Sequence, residues 1–124
     1  MIAAIVPQFF SADLETTLSF YSEKLGFERQ FEYGDPPFFA GAIRDGFSIF
    51  FRHVDHAPTP SPEKYNKELL DAYLRVEDIR QLYAEYCERE VARFRDLATM
   101  PWGFTEFVVR DCDGRLLCFG QAED

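Results

Sequence analysis

The side chains able to do chemistry are few. His53, Asp55 and His56 place two imidazoles and a carboxylate within four residues, a set that could bind zinc. They are the only histidines in the chain and stand at the start of a proline-rich stretch, which favours a solvated loop. Asp71, Tyr73 and Glu106 are the candidates for a general acid or base. Asp71 opens a strand-like run, where burial would raise its pKa; a strand-end carboxylate facing water is the alternative. Cys87, Cys112 and Cys118 show no C-x-x-C spacing and are odd in number, against a disulfide scaffold or a zinc ribbon. Cys87 falls within a helical pattern and reads as packing. Cys118 lies on a strand as a candidate cavity residue, with no basic neighbour or helix start to lower its pKa. Trp102, the single tryptophan, is flanked by Pro101 and Gly103. Its ring can stack on a planar ligand or hold a cation over its face, with the local core of its loop as the other reading. Phe38 and Phe39 could supply the second wall of such a stack.

Composition limits the classes of function open to these residues. With 124 residues the chain has the size of one domain. Its 47% apolar and 28% charged content excludes disordered and low-complexity classes. The net charge of −9 opposes nucleic acid and anionic membrane and attracts cations. Phenylalanine is the commonest residue, at 14, so the chain has either a Phe-packed core or an aromatic-lined cavity. The apolar run over residues 1–10 lacks a basic flank and a small-residue cleavage site, and is too short to cross a bilayer. The expectation is a cytoplasmic protein.

The elements that must position these side chains occur twice. A strand over 2–10 precedes Asp13, a plausible N-cap, and Leu14, Leu18, Tyr21 and Leu25 follow at helical spacing up to Gly26. Strand-like runs cover 27–33, 38–43 and 47–54, with an Asp45-Gly46 hairpin signal. Residues 55–67 carry three of the seven prolines and read as a linker. The order then restarts. A strand over 69–76 is followed by Asp78 as cap, with Ile79, Leu82, Tyr83 and Tyr86 on one helix face. Strands over 91–94, 104–110 and 115–120 complete it, with loops at 98–103 and 111–114. Asp13 and Tyr21 match Asp78 and Tyr86 at an offset of 65, and Asp45-Gly46 matches Asp113-Gly114 at 68, so the chain reads as a repeat.

Ser11-Ala12-Asp13-Leu14, Phe20-Tyr21 and Leu25-Gly26-Phe27 carry a resemblance, as do 74–79 (LRVEDI), Pro101-Trp102-Gly103 and 107–114 (FVVRDCDG). Over essentially the whole chain the sequence resembles the vicinal oxygen chelate superfamily. That group includes glyoxalase I, extradiol dioxygenases and bleomycin-resistance proteins, and the resemblance is nearest to the metal-free bleomycin-resistance type. Cys112 stands where proline is usual, and no glycine closes the second helix near Val91.

The resemblance implies an α+β fold in which two βαβββ modules curl a mixed sheet around a cavity. The whole chain is then one domain, with module one at about 1–57, a linker at about 55–67 and module two at about 68–124. The superfamily's enzymes hold a divalent metal on side chains from the first and last strands of each module. Matched by the local motifs, those positions are Val6, Phe50, Asp71 and Cys118. Val6 and Phe50 offer no donor atom, so neither a metal nor any other cofactor is expected, and no catalytic residue is assigned. The implied function is sequestration of a cationic or aromatic small molecule in a dimer-interface cavity, with Trp102, Phe38, Phe39, Phe50, Asp71 and Cys118 as ligand-binding residues. The alternative is a superfamily enzyme with an atypical metal site. A homodimer is expected, because a two-fold pairing would cover open strand edges.

Overall fold

A computed structural model describes residues 1–123. It divides into two compact units, Met1–Pro58 and the chain from Thr59 on. In the first, β1 (Gln8–Ser11), α1 (Leu14–Glu23), β2 (Glu28–Tyr33), β3 (Phe39–Arg44) and β4 (Phe47–His53) follow one another. The strands lie in the order β1-β4-β3-β2, with β1 parallel to β4 and the other pairs antiparallel. In the second, a short helix α2 (Pro62–Asn66) precedes β5 (Ala72–Arg75), α3 (Ile79–Glu88), β6 (Arg93–Thr99), β7 (Phe104–Arg110) and β8 (Leu116–Ala122). The order β5-β8-β7-β6 repeats the first sheet, β5 running parallel to β8. Both units are βαβββ, the sheets are open, and the class is α+β. Among the described residues no helix is long and apolar enough to cross a membrane.

Helix α1 forms where the heptad-like stripe and its cap coincide. Asp13 Oδ1 accepts the Thr16 N–H at 3.1 Å and its Oδ2 accepts the Thr16 hydroxyl at 2.9 Å, which satisfies a donor that the first turn leaves open. Leu14, Leu18, Tyr21 and Leu25 are buried. The Tyr21 ring meets Phe51 of β4 edge-on at 4.9 Å and Phe27 at 5.8 Å. The second unit repeats the device. Asp78 accepts the Gln81 N–H at 3.1 Å, and Tyr86 meets Phe119 at 5.4 Å, which stacks on Phe107 at 5.3 Å. Strand alternation therefore sends Ile49 and Phe51, or Phe107 and Phe119, under the helix. Phe50, or Glu106 and Cys118, go to the opposite face.

Three departures from the sequence reading, and one helix end that the sequence left open, have physical causes. Strand β1 begins at Gln8 rather than at residue 2, and Met1, Ile2 and Ile5 are exposed; just before the strand, the Pro7 carbonyl accepts the Phe50 N–H of β4. The stretch expected to be all linker contains α2, with Pro62 in its first turn. Tyr65 anchors it: the ring packs on Val108, Leu116 and Cys118, and the hydroxyl donates to the Gly114 carbonyl at 2.8 Å. Strand β6 runs on through Thr99, into the expected loop, because Thr99 still pairs with Thr105. Finally, α3 closes without glycine. Glu90 takes a left-handed φ of 60°, its N–H bonds the Cys87 carbonyl, and the Val91 N–H bonds the Tyr86 carbonyl. Those two bonds are a Schellman ending with glutamate in the place that glycine usually holds.

Candidate functional site

The face of the second sheet turned away from α3 carries a polar cluster centred on Glu106. Its neighbours on β7, Thr105 and Phe107, go to the helix side, so the pleat sends Glu106 the other way. The side chain is 2% exposed. Oε2 accepts the Tyr73 hydroxyl at 2.7 Å and the Trp102 indole N–H at 3.0 Å, while Oε1 accepts Arg95 Nη2 at 2.9 Å. Burial pushes this carboxyl up, but the bonds from Trp102, Tyr73 and Arg95 outweigh it and hold the pKa below its ordinary value. Burial and the same carboxylate push the Tyr73 phenol well above its usual range. Glu106 is thus an ionised acceptor and Tyr73 a neutral donor at neutral pH.

Arg95 ties the cluster to the segment before β5. Its Nε and Nη2 reach Glu68 at 2.8–3.0 Å, and its Nη1 donates to the Met100 thioether at 3.1 Å. Glu68 has a left-handed φ of 52°. Lys67, Glu68, Leu70, Tyr73, Arg95, Met100, Trp102 and Glu106 line a pocket of about 540 Å³, within the size range of small-molecule sites. The Trp102 and Tyr73 residues are 61% and 41% exposed, so both rings offer surface to a ligand while their polar atoms are held by Glu106.

The sequence-derived site residues distribute unevenly over this frame. Trp102 lines the pocket. Asp71 does not: its Oδ2 accepts Lys64 Nζ at 2.5 Å and the Leu116 N–H at 2.9 Å. Cys118 is buried with Val108, Leu116 and Tyr65, and burial pushes its thiol up to about 12, which leaves it protonated and unreactive near neutral pH. In the first unit, Phe39 and Phe50 come together with Phe31, their ring centroids 5.0–5.5 Å apart. Phe38 lies beside Tyr33 at 5.6 Å and under the Arg52 guanidinium at 5.2 Å. Arg95, Glu68 and Met100 were not singled out from the sequence. No local motif marks them, because their meeting depends on a β6–β7 register with two shifts.

The positions matched to the metal do not fit a divalent cation. Val6 precedes β1 and Phe50 has no donor. The parallel ladders set Gln8 opposite Phe50 and Tyr73 opposite Cys118, two residues beyond Val6 and Asp71. That register still offers only an amide, a phenol held by Glu106 and a soft thiol, a poor set for a hard ion. In the His53–Asp55–His56 stretch, His53 Nε2 and Asp55 Oδ1 are 3.9 Å apart. Among the described residues no group of three His, Cys, Asp or Glu side chains is arranged to hold a metal.

The Glyoxalase/Bleomycin resistance protein/Dioxygenase superfamily model matches residues 2–119. The chain belongs to this superfamily. No curated protein sequence matches it. Its fold matches solved structures of the superfamily end to end. One is a bleomycin resistance determinant encoded on the transposon Tn5, with a TM-score of 0.78 and 20% identity over 99% of this chain and 100% of the other. A second is a bleomycin-binding protein from Streptomyces verticillus complexed with copper(II)-bleomycin, at 0.70 and 23% over 100% and 98%. A third is a glyoxalase-related enzyme from Clostridium phytofermentans, at 0.78 and 17% over 98% and 96%. At these identities the likeness establishes the superfamily fold, which both binders and an enzyme share.

Proposed function

We propose that this superfamily member is a metal-independent small-molecule-binding protein that sequesters a planar aromatic ligand without making or breaking a bond. The observation that carries the reading is the pocket beside β7, where Glu106 fixes the Trp102 and Tyr73 rings by their polar atoms and leaves their surfaces open. Rings held in this way lose little freedom when a flat ligand stacks on them. The poor donor set at the superfamily's metal positions supports the metal-independent part. The net charge of −9 and the ring faces favour a ligand that also carries positive charge. The bleomycin bound by the Streptomyces verticillus relative is the precedent for binding on this fold.

The binder acts in the cytoplasm as a homodimer. The sheet edges are open, and Met1, Ile2, Ile5, Phe10, Tyr33 and Phe47 are exposed in the first unit, a surface that a second copy would cover. Light scattering should give twice the 14.5 kDa chain mass; a mass of one chain at micromolar concentration would refute the dimer. Function is tested by thermal shift with the planar cation proflavine, with and without Zn²⁺, Mn²⁺ or Ni²⁺. The expected result is a raised midpoint with proflavine alone, with the compound recovered chemically unchanged. A rise that requires metal, or a converted product, would instead support a superfamily enzyme.

A further inference from the structure

The hydrogen-bonding capacity left in the pocket says what else a ligand carries. Both carboxylates lining it are occupied: Glu68 accepts from Arg95 with both oxygens, and Glu106 accepts three donors. Lys67, the other cation of the lining, pairs with Glu63 at 3.0 Å. The lining charges Lys67, Glu68, Arg95 and Glu106 therefore balance, and no carboxylate stands unpaired for a ligand cation. The Arg95 guanidinium differs. A guanidinium has five N–H groups, and three of them serve Glu68 and Glu106. Among the described residues the Nη1 end has only the Met100 thioether, at 3.1 Å, and sulfur of that kind is a weak acceptor. The Arg95 side chain is 23% exposed, and both Arg95 and Met100 line the pocket with Trp102.

We infer that Arg95 Nη1 is a specificity-determining donor that reads a carbonyl, carboxylate or other hydrogen-bond acceptor attached to the ring of the ligand, with Met100 occupying its place when the pocket is empty. The inference rests on the binding function proposed above and names the ligand class more narrowly: a planar ring bearing an exocyclic acceptor. A charged donor gains more from an oxygen than from a thioether. The acceptor must sit at the ring edge, because Trp102 supplies the face. The Glu68 and Glu106 bonds fix the guanidinium plane, so the donor direction is set before the ligand arrives.

The test uses fluorene and fluorenone, two tricycles of one skeleton that differ by a single carbonyl. Binding is followed by Trp102 emission and thermal shift. Fluorenone should bind about tenfold more tightly than fluorene, the size of one added charge-assisted hydrogen bond offset by the contact it displaces. Met100→Leu keeps the shape of the wall and removes the competing sulfur, so the ratio should widen by about two- to threefold. Arg95→Lys, if it folds, should bring the two ligands to equal affinity. Equal binding of both by the wild type would overturn the acceptor subsite and leave the aromatic-binding function standing. Binding of proflavine but of neither tricycle would also overturn it. Failure of all three compounds would remove the binding function itself, and the subsite with it.

Discussion

Two rows of four residues, one across each sheet, occupy matching places in the repeat. In the first unit Phe31, Gly41, Phe50 and Gln8 lie side by side across β2, β3, β4 and β1. In the second, Arg95, Val108, Cys118 and Tyr73 lie across β6, β7, β8 and β5. In the adjoining row Phe39 stands where Glu106 stands. One unit thus fills this face with three phenylalanines in edge contact, and the other with a carboxylate, a guanidinium and a phenol. The helix-side faces remain alike, with Tyr21 on Phe51 in one and Tyr86 on Phe119 in the other. The period of two along a strand makes this possible, since one face can change its chemistry while the other keeps the core. The polar face is tolerated because it is complete: among the described residues no buried side-chain nitrogen or oxygen lacks a partner.

Removing the centre of each face should separate the two faces most strongly. Glu106→Ala leaves Tyr73, Trp102 and part of Arg95 without their acceptor and should cost about 2–4 kcal/mol in urea unfolding. Phe39→Ala removes a half-buried ring whose neighbours can close in and should cost about 1–2 kcal/mol. A larger loss at Phe39 than at Glu106 would show that the polar face contributes less than its geometry implies. Acid should separate the faces as well. The folded pKa of Glu106 lies below its ordinary value of 4.5, so its stabilising effect is complete above about pH 4.5 and is lost as pH falls toward the folded pKa. Glu106→Gln should flatten the fall in melting temperature below that pH, whereas Phe39→Leu should leave its shape unchanged.

Thiol labelling reports how closed the second sheet is, without a mutation. Cys87 and Cys112 are exposed and Cys118 is buried, its thiol pushed up to about 12. A maleimide at neutral pH should add to two cysteines in the native protein and to the third only after unfolding. Rapid labelling of all three would show that the second sheet opens beneath Tyr65. The smallest effect concerns the helix ends. Gly26 supplies a positive φ after α1, but Glu90 must adopt one after α3. Glu90→Gly should stabilise the protein by about 0.5–1 kcal/mol, and Gly26→Ala should destabilise it by at least as much.

The repeat was legible because the signals it uses are local. Asp13 and Asp78 cap helices three residues on, the apolar stripes follow from one turn to the next, and Asp45-Gly46 makes its two-residue hairpin with both residues at positive φ. The pocket was only partly legible. Trp102 stood out as the single tryptophan, and Glu106 and Tyr73 only as candidate acid–base residues. That Trp102 and Glu106 bond each other, and that Arg95 joins Glu106 from eleven residues away, depends on the ladder register, which pattern alone does not carry. Asp71 shows the converse. Its position looked chemical, but Lys64 of α2 holds it, and α2 lay in a stretch whose prolines concealed a turn of helix. Glu90 shows a backbone conformation that residue type argues against and tertiary closure imposes.

Trp102 is the only tryptophan, so its emission during a proflavine titration reads a ligand stacking in the pocket without a label. The expected result is quenching that saturates at one ligand per chain, with an affinity that falls between low and physiological salt as the field of a −9 protein is screened over about 8–10 Å. Trp102→Ala should lose the binding, read by thermal shift, while keeping its fold. Quenching that rises linearly without saturation, or a Trp102→Ala protein that binds as well as the wild type, would contradict it.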